Sequence, residues 1–95
     1  MKLSELLKNV KPLQVIGNAE VEVTGVNIDS RKVKPGNLFV AMKGTQVDGH
    51  KFIPKAVELG ATSVLCEDVP EEKKDGVTYV QVESTEKAVG PVATV

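Results

Sequence analysis

Aliphatic residues recur along this chain with two different periods, and the switch between them marks out the elements. Leu3, Leu6, Leu7 and Val10 fall at i, i+3, i+4 and i+7, which predicts a short helix with one apolar face. Lys11-Pro12 ends it, because the residue before a proline is pushed out of helical geometry. Leu13-Gln14-Val15-Ile16 reads as a short strand closed by the turn pair Gly17-Asn18. Val21, Val23, Val26 and Ile28 continue an extended pattern. Its alternation breaks at Thr24-Gly25, which predicts a bulge or a bend.

Turn chemistry is densest in the middle of the chain. Lys34-Pro35-Gly36-Asn37 places Pro and Gly where a type II turn needs them. The continuous apolar run Leu38-Phe39-Val40-Ala41-Met42 predicts a strand covered on both faces. A polar loop, Lys43 to His50, leads to a helix over Phe52–Leu59, with Pro54 tolerated in its first turn and Gly60 as its stop. Ala61 to Cys66 then reads as a buried strand, Asp68 to Asp75 as a solvated charged loop and Val77 to Val82 as a last strand. Ser84 as N-cap and Glu86 in the first turn predict a helix lined by Ala88, Val89, Val92 and Ala93, against which Gly90-Pro91 argues. Strands alternating with helices predict an α/β fold: a small three-layer domain with a mixed, partly parallel sheet flanked by short helices.

Composition narrows the possible functions. Ninety-five residues suffice for one domain, which buries roughly 60–70% of its unfolded surface. Aromatic residues make up 3% of the chain, so no stacking platform for single-stranded nucleic acid is present. A formal charge of −1 excludes a broad basic footprint for duplex DNA or RNA. No apolar run approaches a membrane span, and the N-terminus lacks a signal-peptide pattern, so a cytoplasmic location is expected. Cys66, the single cysteine, lies in an apolar run and reads as a buried thiol. The chain stops inside an apolar, helix-compatible stretch, Val92-Ala93-Thr94-Val95, and a domain cut from a longer protein is expected.

Catalytic equipment is absent from the sequence. The single His and single Cys have no recognisable motif around them, and neither GxxxxGK[ST] nor GxGxxG occurs. Glu67, Asp68, Glu71, Glu72 and Asp75 are interspersed with lysines and read as a solvated loop. No catalytic residue and no metal ligand is assigned. Two loops leave the ends of apolar strands, where α/β sheets place ligands. In Ile28-Asp29-Ser30-Arg31, a hydroxyl, a cation and backbone N–H groups suit a phosphate or diphosphate; the plainer alternative is an Asx-turn at Asp29 with Arg31 in a surface pair. In Gly44-Thr45-Gln46-Val47-Asp48-Gly49-His50, Gly44 permits close backbone approach, while Thr45 and Gln46 offer hydrogen bonds; the alternative is a polar connector turning at Asp48-Gly49. His50 reads as a structural helix-turn residue.

The two loops occur in a longer pattern, DSRxVxPGxLFVAxxGxxxDGHxFIxxAxxxGA, spread over residues 28–61. This pattern resembles the N-terminal domain of the Mur ligases that extend the peptidoglycan stem peptide. Within that family it is most similar to the third ligase, which adds a diamino acid, with meso-diaminopimelate expected ahead of lysine. The last ligase, which adds D-alanyl-D-alanine, shares much of the pattern and is the alternative; a non-catalytic small-ligand or interaction module of the same fold is the other. The resemblance implies that residues 1–95 are the UDP-substrate-binding domain of an ATP-dependent amide ligase, inactive by itself. It implies that Ile28, Ser30, Thr45, Gln46 and Val47 contact a UDP-N-acetylmuramoyl-dipeptide. ATP and Mg²⁺ would bind outside this domain, and neither nucleic acid nor membrane is an expected partner.

Overall fold

The computed structural model of the chain describes residues 2–10, 12–42, 49–71 and 73–85. Thr45, Gln46 and Val47 lie outside these, as does the expected helix beyond Thr85. The described residues form a five-stranded sheet from β1 (Gln14–Ile16), β2 (Gly25–Asn27), β3 (Asn37–Val40), β4 (Ser63–Cys66) and β5 (Thr78–Gln81), in the order β1-β5-β4-β3-β2. β2 through β5 run parallel, and β1 is antiparallel to β5 with Val15 opposite Val80. Two short helices, α1 (Leu3–Leu6) and α2 (Ile53–Glu58), accompany the sheet.

Alternation along the strands sorts the core into two clusters, one on each face of the sheet. Leu38, Val40, Leu65 and Val80 join Leu3, Leu6, Leu7 and Val10 of the N-terminal segment. Phe39, Ala41, Val64, Cys66 and Tyr79 pack with Ile53, Ala56 and Val57 of α2. The fold is therefore α/β in three layers, with a mixed sheet between short helices. Leu38, Phe39 and Val40 of β3 are buried, as the continuous apolar run predicts, and Asn37 is buried with them, because β3 lies inside the sheet and is covered on both faces.

Boundaries differ from the sequence reading by one or two residues at β3, β4, β5 and α2, and by more near the N-terminus. The first helix is shorter: after Leu6 it tightens into a 3-10 turn over Leu7–Asn9, although all four aliphatics reach the core. Leu13 is outside β1 and exposed, although its N–H still donates to Gln81 O at 2.7 Å. The extended stretch from Val21 to Ile28 pairs in two places. Glu22 bridges Lys2, and only Gly25–Asn27 pairs with β3. The predicted break at Thr24-Gly25 is where the partner changes, since Thr24 N–H turns to Gly36 O at 3.0 Å.

Turn chemistry follows the sequence more closely. Asn37 N–H donates to Lys34 O at 3.0 Å, and Gly36 adopts φ +88°, as the third residue of a type II turn requires. Pro54 occupies the first turn of α2, where its missing N–H costs nothing.

Candidate functional site

Because β2, β3 and β4 are parallel, the segments that follow them leave the same edge of the sheet. Ile28 to Ser30 follow β2, residues 43–48 lie between Met42 after β3 and Gly49, and Glu67-Asp68 follow β4. β3 is flanked by β2 and β4, so Ile28 to Ser30 and Glu67-Asp68 leave the sheet on either side of the end of β3. The carboxyl edge of parallel strands is where backbone N–H groups and loop side chains converge on ligands in α/β folds.

On the β2 side, Ile28 is 61% exposed and presents an apolar side chain to solvent at the strand end. Asp29 then caps a 3-10 turn over Ser30–Lys32, its Oδ1 accepting from Arg31 N–H at 2.9 Å. The Arg31 side chain folds back onto the same carboxylate, with Nε to Oδ1 at 3.2 Å and Nη2 to Oδ2 at 3.1 Å. Hydrogen bonding from Arg31, side chain first and backbone second, holds the Asp29 carboxyl below its ordinary value. A lowered pKa means the clamp contributes above the usual carboxylate range and is lost as pH falls through the lowered value. Both features of the plainer reading, the Asx-turn and the surface pair, are therefore present. Arg31 is already engaged, which weakens it as a phosphate ligand. Ser30 is buried, with 6% exposure, and its hydroxyl bonds to no other described residue.

A polar cluster supports this turn from beneath. Asn27, the last residue of β2, donates Nδ2 to Lys32 O at 3.2 Å and to Asn37 Oδ1 at 2.8 Å. Asn37 Oδ1 also accepts from Lys34 N–H at 2.9 Å, and its Nδ2 donates to Thr24 Oγ1 at 3.2 Å. One buried amide therefore ties both ends of the β2–β3 connection. Asn37→Ala removes the acceptor of Lys34 N–H and one of the two acceptors of the Asn27 amide, and a loss of about 2 kcal/mol is expected in urea unfolding. A change below half of that would show that water replaces the amide freely.

On the other flank, Gly49 N–H donates to Met42 O at 2.7 Å, closing the two residues that border 43–48 against each other. A Cβ on Gly49 would stand 2.8 Å from both Met42 N and Met42 O, so only glycine allows this approach. His50 follows, and its Nε2 accepts from Glu67 N–H at 3.0 Å and from Asp68 N–H at 3.2 Å. Glu67 extends the connection. Its carbonyl accepts from Gln81 Nε2 at 3.0 Å, and its Oε2 accepts from Thr85 Oγ1 at 3.1 Å. Sequence reasoning placed His50 in a structural turn but missed these partners. They lie 17 and 18 residues away, and no periodic pattern links them.

Cys66 is buried in β4, and burial pushes its thiol up to about 12, which leaves no thiolate to act as a nucleophile at neutral pH. Among the described residues, no three His, Cys, Asp or Glu side chains gather where they could hold a metal ion, and no helix is long and apolar enough to cross a membrane.

The chain matches the model of the Mur ligase family, catalytic domain, over residues 22–94, and it belongs to that family. Across 94 residues it is 58% identical to UDP-N-acetylmuramoyl-L-alanyl-D-glutamate--2,6-diaminopimelate ligase of Bacteroides thetaiotaomicron, with 99% of the chain and 20% of the relative aligned. The enzyme of the same description from Phocaeicola vulgatus is 49% identical over 94 residues, covering 99% of the chain and 19% of the relative. The chain thus spans about a fifth of the length of these curated relatives. Among solved structures, MurF from Acinetobacter baumannii superposes with a TM-score of 0.78 at 22% identity, over 95% of this chain and 19% of that one. That likeness supports the fold alone.

Proposed function

We propose that this domain anchors the UDP end of a UDP-N-acetylmuramoyl-dipeptide within an ATP-dependent amide ligase. The ligase adds a diamino acid, meso-diaminopimelate, to the D-glutamyl carboxylate during peptidoglycan synthesis. The observation that supports this reading is the end of β2 beside β3, where Ile28 is exposed and the buried Ser30 hydroxyl bonds to no other described residue. Ile28 offers an apolar surface to a base or sugar, and the Ser30 hydroxyl is free to donate to an anionic oxygen. A ligand held by hydroxyl and backbone groups also fits a domain of charge −1. The high identity to diaminopimelate-adding relatives over nearly the whole chain favours this ligase over the one that adds D-alanyl-D-alanine.

The residues present do not fit ATP or Mg²⁺: the sequence has no phosphate loop, and its described residues hold no acidic cluster. The contribution of this domain is positioning. It holds a remote handle so that the reacting carboxylate is placed elsewhere in the enzyme, which is uniform binding rather than transition-state stabilisation. In the full-length ligase, Ser30→Ala is therefore expected to raise KM for the UDP-substrate about fivefold to tenfold while kcat stays within twofold. A large fall in kcat at unchanged KM would overturn the assignment.

A further inference from the structure

A cleft of about 340 Å³ opens between α2 and the connection from β4 to β5. Small-molecule sites occupy roughly 300–1,000 Å³, so this one has room for a small ligand. Its apolar lining comes from Ile53 and Val57 of α2, both buried, from Pro70 of the connection and from the ring of Tyr79 on β5. β4 and β3 separate β5 from β2, so the cleft is a different place from the turn at Ile28 to Ser30.

Three groups in this lining suit an anion. Tyr79 is 2% exposed, and its hydroxyl accepts from Lys74 N–H at 3.1 Å. That bond uses the oxygen as an acceptor and leaves its proton available, because no acceptor for it stands among the described residues. A buried phenol ordinarily finds a partner for its O–H. Lys73 and Lys74 line the same cleft, are exposed, and form no ion pair among the described residues. Glu58, at the end of α2, lines it as well and opposes them. Two ammonium groups and one carboxylate leave a single net positive charge.

We propose that this cleft binds a small monocarboxylate with an apolar body. The carboxylate accepts from the Tyr79 hydroxyl and lies beside the Lys73 and Lys74 ammonium groups, while the apolar body covers Ile53, Val57 and Pro70. A hydrogen bond to an ionised acceptor is about twice as strong as one to a neutral acceptor, which favours a carboxylate over an alcohol of the same length. One net positive charge balances one carboxylate and falls short of a diphosphate. None of the lining residues is among those assigned to the UDP-substrate, so this site goes beyond the anchoring function and stands without it.

The test uses the full-length ligase that carries this domain, with hexanoate as the probe and saturation-transfer NMR as the readout. Hexanoate is expected to bind saturably with a Kd of about 2–10 mM, in keeping with so small a ligand, and hexan-1-ol about tenfold more weakly. Tyr79→Phe keeps the ring in the core and removes the O–H, and it should raise the hexanoate Kd about threefold to tenfold. Lys73→Ala combined with Lys74→Ala changes exposed residues only and should raise it at least about fivefold. Absence of saturable hexanoate binding would overturn the proposal, as would equal Kd values for hexanoate and hexan-1-ol or a wild-type Kd in either variant. Displacement of hexanoate by UDP would place the binding at the end of β2 and overturn it too. The KM shift expected for Ser30→Ala is untouched by any of these results, so the two readings fail separately.

Discussion

Phe39→Ala is expected to cost roughly 3–5 kcal/mol in urea unfolding, the range for deleting a buried aromatic ring. Phe39 is the largest of the fully buried side chains, 1% exposed, and sits on β3 between Asn27 of β2 and Val64 of β4. Its ring lies in the cluster that joins the sheet to α2, among Val33, Ile53, Ala56, Val57 and Tyr79. Most of these neighbours are short or branched, and none is a methionine able to re-aim into the space. The site should therefore collapse only partly, which puts the loss near the upper end of the range. Because a domain of this size has a total stability of roughly 5–15 kcal/mol, the variant should be partly unfolded at 37 °C. Phe39→Leu, which keeps most of the volume, should cost about 1 kcal/mol. Equal losses for the two variants would show that the ring contributes nothing beyond its first carbons.

The legibility of these features in the sequence follows how far apart the interacting residues lie. β3 was readable because five apolar residues in succession can be satisfied only by a strand covered on both faces. The turn before it was readable because Pro35 and Gly36 have few other uses in that order. The Asp29–Arg31 pair, two residues apart, could be foreseen as the plainer alternative to a phosphate site, and the structure shows it. The Asn27–Asn37–Thr24 cluster and the His50–Glu67 connection could not be foreseen. Each joins single polar residues 10 to 17 positions apart, and the parallel pairing of β2, β3 and β4 brings them together. The candidate site reads in the sequence as two strand-end loops, of which Ile28 to Arg31 lies among the described residues. The polar cluster beneath that turn depends on tertiary pairing, which leaves no local pattern.

Gly60→Ala should be the most damaging small change at the opposite edge of the sheet, at about 3 kcal/mol. Gly60 follows α2 with φ +113°, a conformation an L side chain rarely adopts. A Cβ there would stand 2.7 Å from Pro35 Cα, which is backbone and can yield only if the neighbouring turn shifts. That turn cannot shift freely, because Gly36 N–H donates to Gly60 O at 2.9 Å and Thr24 N–H donates to Gly36 O at 3.0 Å. Gly36 is itself crowded, with Thr24 Oγ1 2.8 Å from where its Cβ would be. The turn before β3 and the turn before β4 are therefore packed backbone against backbone at the amino edge of the parallel strands. Gly76→Ala separates backbone strain from contact: its φ is +86° but nothing lies within 4 Å of the added carbon, so a loss of only about 1 kcal/mol is expected. If Gly60→Ala and Gly76→Ala lose the same amount, the contact with Pro35 has no energetic weight and strain alone explains both. Because Gly60 lies at the edge away from Ile28 and Ser30, its effect should fall on stability and leave the UDP-substrate KM of the folded full-length enzyme unchanged. A raised KM would mean that the two edges of this short sheet are mechanically coupled through β3.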